Sequence, residues 1–356
     1  MRKVRFLGTA ITIALVSVAC GGTSTTPTTT AAAPESLVLL SHESFAAGVT
    51  EETFAGFTDE TGIAVEVLAA GDAGATLNQA ILTKEAPLGD VLFGVDTTFL
   101  SRALAEDLFV PHEAAPLADV PDDLQVDPSH RVTPIDFGDV CINYDKEGLS
   151  EAGLAPPAEL ADLTRPEYRG TLVVEHPATS SPGLAFLLAT IAEFGEDGWT
   201  DFWVRLRDND VAVTAGWDEA YYSSFSGGSG EGDRPLVVSY ASSPPAEVIF
   251  SETPMDEAPT GVVTAGCYRQ VEFAGVLKGT GNEGAAGSLV DFMLSPAFQE
   301  QIPLAWFVFP ANETVELPPE FAEHTVVPES PAAIEPEAIE SNREMWITEW
   351  EELMEG

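Results

Sequence analysis

Arg131-Val132-Thr133-Pro134-Ile135-Asp136-Phe137-Gly138-Asp139-Val140-Cys141-Ile142-Asn143-Tyr144 and Cys267-Tyr268-Arg269-Gln270-Val271-Glu272-Phe273-Ala274-Gly275-Val276-Leu277 are two long stretches of strand character, far apart in a chain of 356 residues. Both alternate apolar and polar side chains, the period of a β-strand. They divide the body into residues 36–134, 135–268 and 269–356. Two α/β lobes joined by two crossing hinge strands form a two-lobed clamshell, an architecture that closes by hinge motion. Two independent domains in series would need a linker, and no long Pro/Gly/Ser-rich stretch lies near the middle. Residues 223–232 are Gly/Ser-rich, but they fall between a helix and a strand and read as a surface loop. The expected lobes are therefore residues 36–134 plus 269–356, and residues 135–268.

The flanking segments agree with that division. Residues 37–40 are an apolar run that opens into Ser41-His42-Glu43-Ser44-Phe45, a strand followed by a loop. Residues 53–61 have helical spacing and end at Gly62, a C-cap signal. A strand at 63–68, a helix at 72–82, a strand at 90–93 and a Thr-capped helix from about Phe99 complete a βαβαβα pattern. That pattern means a parallel sheet whose strand C-termini carry free loops. In the second lobe, Leu172–Glu175 and Leu236–Tyr240 read as strands, with a short strand at 211–214. Residues 183–194 form an apolar helix with Pro182 in its first turn, where a missing N–H costs little. Residues 202–206 and 285–294 are helical, and Trp346, Trp350 and Leu353 share one face of a C-terminal helix.

The ends and the charge speak to location. Arg2, Lys3 and Arg5 precede an apolar run over residues 6–19, too short to be a membrane span, so residues 1–19 read as a signal peptide. The run Val16-Ser17-Val18-Ala19-Cys20 resembles a bacterial lipobox, with Ser17 departing from the usual Leu or Val, and implies a lipidated Cys20. Residues 20–34 are then a Thr-rich tether with nothing to bury in a core. An ordinary cleaved signal that ends near a cysteine is the alternative, and the flanking signal anatomy favours the lipoprotein. With Cys20 acylated, Cys141 and Cys267 remain, either as one disulfide in an oxidising compartment or as two buried thiols. The 15 Lys+Arg against 58 Asp+Glu give a formal charge of −43. That excess excludes a basic nucleic-acid surface and disfavours an anionic membrane as partner. It also points to saline surroundings, where counterions screen self-repulsion.

No enzyme signature stands out. There is no GxxxxGK[ST] loop and no HExxH pair, and Gly227-Gly228-Ser229-Gly230-Glu231 misses the nucleophile elbow because Glu231 stands where Gly is required. Of five His, His112, His130 and His324 fall in loops, without metal-ligand spacing. Asp72 and Glu219 would need a paired acid or base to do chemistry. The expectation is a protein that is not an enzyme and holds no cofactor. Aromatics are more telling: Trp217 with Tyr221 and Tyr222, Tyr240 and Trp306 each lie just past an element, where loops face a cleft. Singly, each would be an ordinary core residue; three such places on two lobes favour a binding site over an adhesin surface.

Six stretches, in order, carry a resemblance: Glu43-Ser44-Phe45-Ala46-Ala47, Thr179-Ser180-Ser181-Pro182-Gly183-Leu184, Gly216-Trp217-Asp218-Glu219-Ala220-Tyr221, Ser239-Tyr240-Ala241-Ser242-Ser243-Pro244, Tyr268-Arg269-Gln270-Val271-Glu272 and Ser295-Pro296-Ala297-Phe298-Gln299. From about Leu37 to Trp350 the chain resembles the thiamine-binding proteins of bacterial ABC importers, which are bilobed and related to ferric-iron and polyamine binders. The resemblance implies a periplasmic-binding-protein-like fold and an extracytoplasmic, monomeric carrier that hands thiamine or a thiamine phosphate to a membrane permease. Thiamine carries a permanent cation, so its burial calls for carboxylates or π-faces, each face supplying about 0.5–2 kcal/mol.

On that resemblance Tyr240 stacks on a ring of the ligand, while Trp217 and Trp306 close the cage; Tyr221 is a further ligand-binding candidate. Asp72 matches an acidic position near the ligand, and is equally a helix N-cap. Ser180 and Ser181, at a helix start, would meet a hydroxyl or phosphate oxygen, or simply cap. His42 and Ala246 depart from the pattern, standing where a Tyr and another aromatic are expected. His42 with an acidic residue and Tyr221/Tyr222 supplies the alternative, a ferric-ion carrier, because phenolates and carboxylates suit Fe(III).

Overall fold

The computed structural model describes residues 34–355 except 252 and 254. The signal peptide, Cys20 and nearly all of the tether expected from the sequence lie outside the described residues. One mixed sheet runs through the molecule in the order β2-β1-β3-β8-β4-β7-β5-β6. Its strands are β1 (Ser36–Ser41), β2 (Ala64–Ala69), β3 (Val91–Asp96), β4 (Thr133–Asp145), β5 (Leu172–Glu175), β6 (Ala212–Thr214), β7 (Leu236–Tyr240) and β8 (Thr260–Val276), with β9 (Phe309–Pro310) pairing β4 off this path. β1 pairs β2 and β3 in parallel at one end. β5 pairs β6 and β7 in parallel at the other. The two long strands read from the sequence, β4 and β8, cross between these halves as an antiparallel pair from Thr133↔Ala274 to Asp145↔Thr260.

That pair is fastened twice. Cys141 and Cys267 form a disulfide between residues 126 apart in sequence, which settles the choice the sequence left open. Two residues away, Arg269 on β8 donates from Nε and Nη2 to the two carboxylate oxygens of Asp139 on β4, at 3.0 and 2.8 Å. A bidentate guanidinium–carboxylate pair fixes geometry as well as charge. Asp139 is almost fully buried, so the pair also neutralises an interior charge.

Local signals explain most helices. Asp72 caps Ala73–Leu82 by accepting from the Ala73 N–H at 2.7 Å. Gly62 ends Ala55–Thr61 in the left-handed region at φ 76°. The helix Ser181–Phe194 carries Pro182 in its first turn and is apolar on every side, which is why it runs buried against the sheet. The expected Thr-capped helix differs: it spans Leu100–Ala105 with Phe99 at its start and no side-chain cap, because Thr98 donates to Asp96 instead. Trp199–Asp208 buries Trp199, Phe202, Trp203 and Leu206, spaced as one helical face. The C-terminal helix Pro336–Glu355 joins both halves: it packs on Leu100–Ala105 and on Trp199–Asp208, and Trp350 meets Trp203 edge-on at 5.4 Å. Among the described residues no helix is long and apolar enough to cross a membrane.

Candidate functional site

Parallel strands leave their C-terminal loops on one edge, and here the loops of the two halves face each other. The loop after β1 gives His42 and Ser44; the loop after β2 gives Asp72; the segments after β5 and β6 give Ser181 and Trp217. The halves touch through Ser44 Oγ donating to Asp218 at 2.9 Å, the Trp217 N–H to Asp72 at 3.0 Å and the Gly74 N–H to Thr179 O at 2.9 Å. Between them lies a cavity of about 1300 Å³.

Seven of the eight residues singled out in the sequence line this one cavity: His42, Asp72, Ser181, Trp217, Tyr221, Tyr240 and Trp306. Ser180 does not; it is fully buried at the start of the helix Ser181–Phe194. Ser181 donates its hydroxyl to Asp96, so it is already committed to a carboxylate. Ala246, where an aromatic was expected, also lines the wall and leaves it more open.

The aromatic rings are held by their polar edges. Trp217 donates from Nε1 to Ser239 Oγ at 2.9 Å and stacks on Tyr221 with centroids 4.9 Å apart. Trp306 donates to Phe45 O at 2.9 Å and stacks on Phe45 at 4.7 Å. Tyr240 accepts from Gln270 Nε2 at 3.1 Å, and its ring lies over Gly138, where a Cβ would come within 2.7 Å of Cδ1. These anchors fix ring orientation before any ligand arrives, which lowers the ordering cost of binding.

Carboxylates surround these rings. Asp96 on β3, Glu272 on β8 and Asp136 on β4 stand abreast, in the pairs Asp96↔Glu272 and Asp136↔Glu272. Directly paired residues of neighbouring strands point to the same face, so three acids share one rung of the sheet. Neither Glu272 nor Asp136 was singled out for the site from the sequence. The available signal was an acid inside an apolar strand, as in Ile135-Asp136-Phe137 and Val271-Glu272-Phe273. Burial pushes the Asp96 carboxyl up to about 6. Burial, then Glu272 and Asp96, hold Asp136 well above the carboxylate range. Burial and then the charges of Glu272, Asp96, Asp72 and Asp136 hold the Tyr240 phenol well above its ordinary value, which marks this ring as the meeting point of their fields.

His42 caps the short helix Glu43–Gly48 by accepting from the Phe45 N–H at Nδ1, 3.3 Å away, which leaves the ring proton on Nε2 facing Glu272 at 3.7 Å. Burial lowers its pKa, but Glu272 and the acids beyond it outweigh that and raise it above 6.5. Gly94, at φ 97°, makes room for this ring; a Cβ there would lie 2.3 Å from His42 Cδ2. Tyr221 donates its hydroxyl to Glu247 at 2.7 Å. Burial and Glu247 hold that phenol well above its ordinary range, and Tyr222 beside it is also raised, by burial first.

A cleft between two halves, lined with clamped rings and acids, suits capture of a small cationic or aromatic solute. Residues 86–342 match the sequence profile of the bacterial extracellular solute-binding protein family. The chain belongs to that family. As a solute-binding protein it is not an enzyme. It is 28% identical to a thiamine-binding periplasmic protein of Brucella suis biovar 1 over 323 residues, covering 90% of this chain and 92% of that one. It is 30% identical to a thiamine-binding periplasmic protein of Salmonella typhimurium over 318 residues, covering 88% and 92%. Among solved structures it is similar to a periplasmic thiamin binding protein, with a TM-score of 0.77, 26% identity and 90% and 96% of the two chains covered. The solute-binding protein thus has the two-lobed α/β clamshell expected from its crossing strands.

Proposed function

We propose that this protein captures thiamine outside the cytoplasm and delivers it to an ABC importer, held at the membrane by a lipid on Cys20 and spaced from it by residues 20–34. Its lobes would be residues 36–134 plus 269–356 and residues 135–268, closing as a monomer about the β4–β8 pair. One observation carries the reading: Trp217, Tyr240 and Trp306, drawn from separate elements, line a single cavity together with buried carboxylates. A flat, permanently charged ring is matched by π-faces and anionic counter-charges, and cannot shed its charge by losing a proton. The relatives named above support the choice of ligand. The ferric alternative is weaker, since phenolate ligation needs Tyr221 to give up a proton that is committed to Glu247.

Thiamine at 100 times its Kd should stabilise the protein by about 2.7 kcal/mol, read as a rise in melting temperature, and native mass spectrometry should find it in protein purified from producing cells. No shift with thiamine, and a shift with ferric ion instead, would reverse the assignment.

The pH dependence has a definite sign. Burial holds the Asp96 carboxyl up at about 6. Acidification from pH 7.5 to 5.5 therefore neutralises the Asp96 carboxylate, which makes the potential at Tyr240 less negative. Affinity for thiamine should fall about three- to tenfold over that interval, measured by calorimetry; an affinity that rises on acidification would contradict the assignment of Asp96.

A further inference from the structure

Among the described residues, four that are not glycine adopt a left-handed backbone: Asp107, His130, Asp210 and Phe307. Asp and His enter that region more readily than most side chains; a bulky aromatic does so at a cost. Phe307, at φ 54°, is also the one of the four that lines the cavity. A plain reversal of the chain would be served by glycine. Backbone strain of this kind persists where the surroundings over-determine it, and it collects at ligand clamps.

The surroundings of Phe307 are specific. Its carbonyl oxygen accepts from Ser242 Oγ at 2.6 Å. Its ring meets Phe250 edge-on, with centroids 5.3 Å apart, and Phe321 at 6.5 Å. Ser242 and Phe250 belong to the segment that follows Tyr240 and β7. The residue before it, Trp306, is tied the other way, to Phe45 beyond β1. The residue after it, Val308, reaches Gly138 beside Tyr240: a Cβ on Gly138 would lie 2.7 Å from Tyr240 Cδ1 and 3.4 Å from Val308 Cγ1. Phe309 then pairs with Phe137 of β4. The strained turn therefore stands where the chain passes from the half that holds Trp306 to the segment that carries Tyr240. One short path, through the Ser242–Phe307 hydrogen bond, joins these two cavity-lining rings.

We propose that Phe307 is a positioning residue: clasped by Ser242, Phe250 and Phe321, its strained turn fixes the Trp306 ring relative to Tyr240 and so sets the slot that receives the flat ring of the ligand. This rests on the thiamine reading above and deepens it. Aromatic rings attract over centroid separations of about 4.5–7 Å, so a slot of fixed width selects a planar ring, and building it before the ligand arrives lowers the ordering cost of binding.

Calorimetric titration of the whole protein with thiamine, in a double-mutant cycle, tests the claim. Phe307→Gly accepts the left-handed backbone freely but removes the ring that ties the turn. It should weaken thiamine at least about tenfold in the wild-type background and less than about twofold in the Trp306→Ala background, where nothing is left to position. Ser242→Ala removes one hydrogen bond and leaves the rings in place; it should weaken thiamine about three- to tenfold, again only where Trp306 is present, and it carries the test if the glycine variant does not fold. Equal losses in the two backgrounds, as a merely structural or directly contacting residue would give, overturn the proposal, and so does unchanged affinity in the single variants; both results leave the thiamine reading standing. Failure of wild type to bind thiamine at all overturns both.

Discussion

Tyr240→Ala should lower thiamine affinity by at least about 30-fold, the effect of losing about 2 kcal/mol at a binding hot spot, while leaving the protein folded. Tyr240 ends β7, beside β4, with its ring over Gly138 and its hydroxyl tied to Gln270. It is the aromatic on which four carboxylate fields converge, from Glu272, Asp96, Asp72 and Asp136. A cation placed against its face gains from the π-cloud and from those acids together. Tyr240→Phe is the companion: it keeps the face and loses one hydrogen bond, so it should cost less than about tenfold. Calorimetric titration separates the two variants. Equal loss in both would mean that the hydroxyl, and not the ring, carries the ligand.

Replacing both Cys141 and Cys267 by alanine should lower stability by about 2–5 kcal/mol. The bridge closes a loop of 126 residues that contains β5, β6 and β7, the parallel strands at one end of the sheet. Long loops gain most from such closure, because the unfolded chain then has the most conformations to lose. The pair Asp139–Arg269 and the remaining β4–β8 hydrogen bonds still hold the register, so the variant should fold and bind ligand. Denaturant unfolding of oxidised wild type against the variant measures the difference; an unchanged midpoint would show that β4 and β8 are fully fixed by their other contacts.

Much of this fold was legible from local chemistry. β5 and β7 begin and end where the sequence placed them, because each is a short apolar run bounded by turn or polar residues. Asp72 and Gly62 marked helix ends by side-chain acceptance and by left-handed backbone, both properties of single residues. β8 was harder: it starts at Thr260 and not at Cys267, because Gly266, at φ 74°, interrupts the alternation that reveals a strand. Its partner shows a register shift at the same place, between Val140 and Ile142. The site was legible in part for the same reason. Trp217, Tyr240 and Trp306 announce themselves as aromatics beyond element ends. The acids of the cleft floor do not, since Asp96, Glu272 and Asp136 come from three distant segments, and only strand register sets them side by side. Ser180 and Ser181 looked equivalent in sequence, and both are buried; Ser181 lines the cavity and donates to Asp96, while Ser180 does not line it.

The central claim is that a fixed positive charge on a flat ring is enclosed between aromatic faces contributed by both halves of the clamshell. A crystal structure of the protein with thiamine bound tests it most directly. The account predicts a ring of the ligand within about 6 Å of the Tyr240 centroid, bounded by Trp217 and Trp306, with its cationic nitrogen toward Glu272 and the other acids of the cleft. Thiamine bound elsewhere, or within the cleft with its charge directed away from those acids and rings, would contradict it.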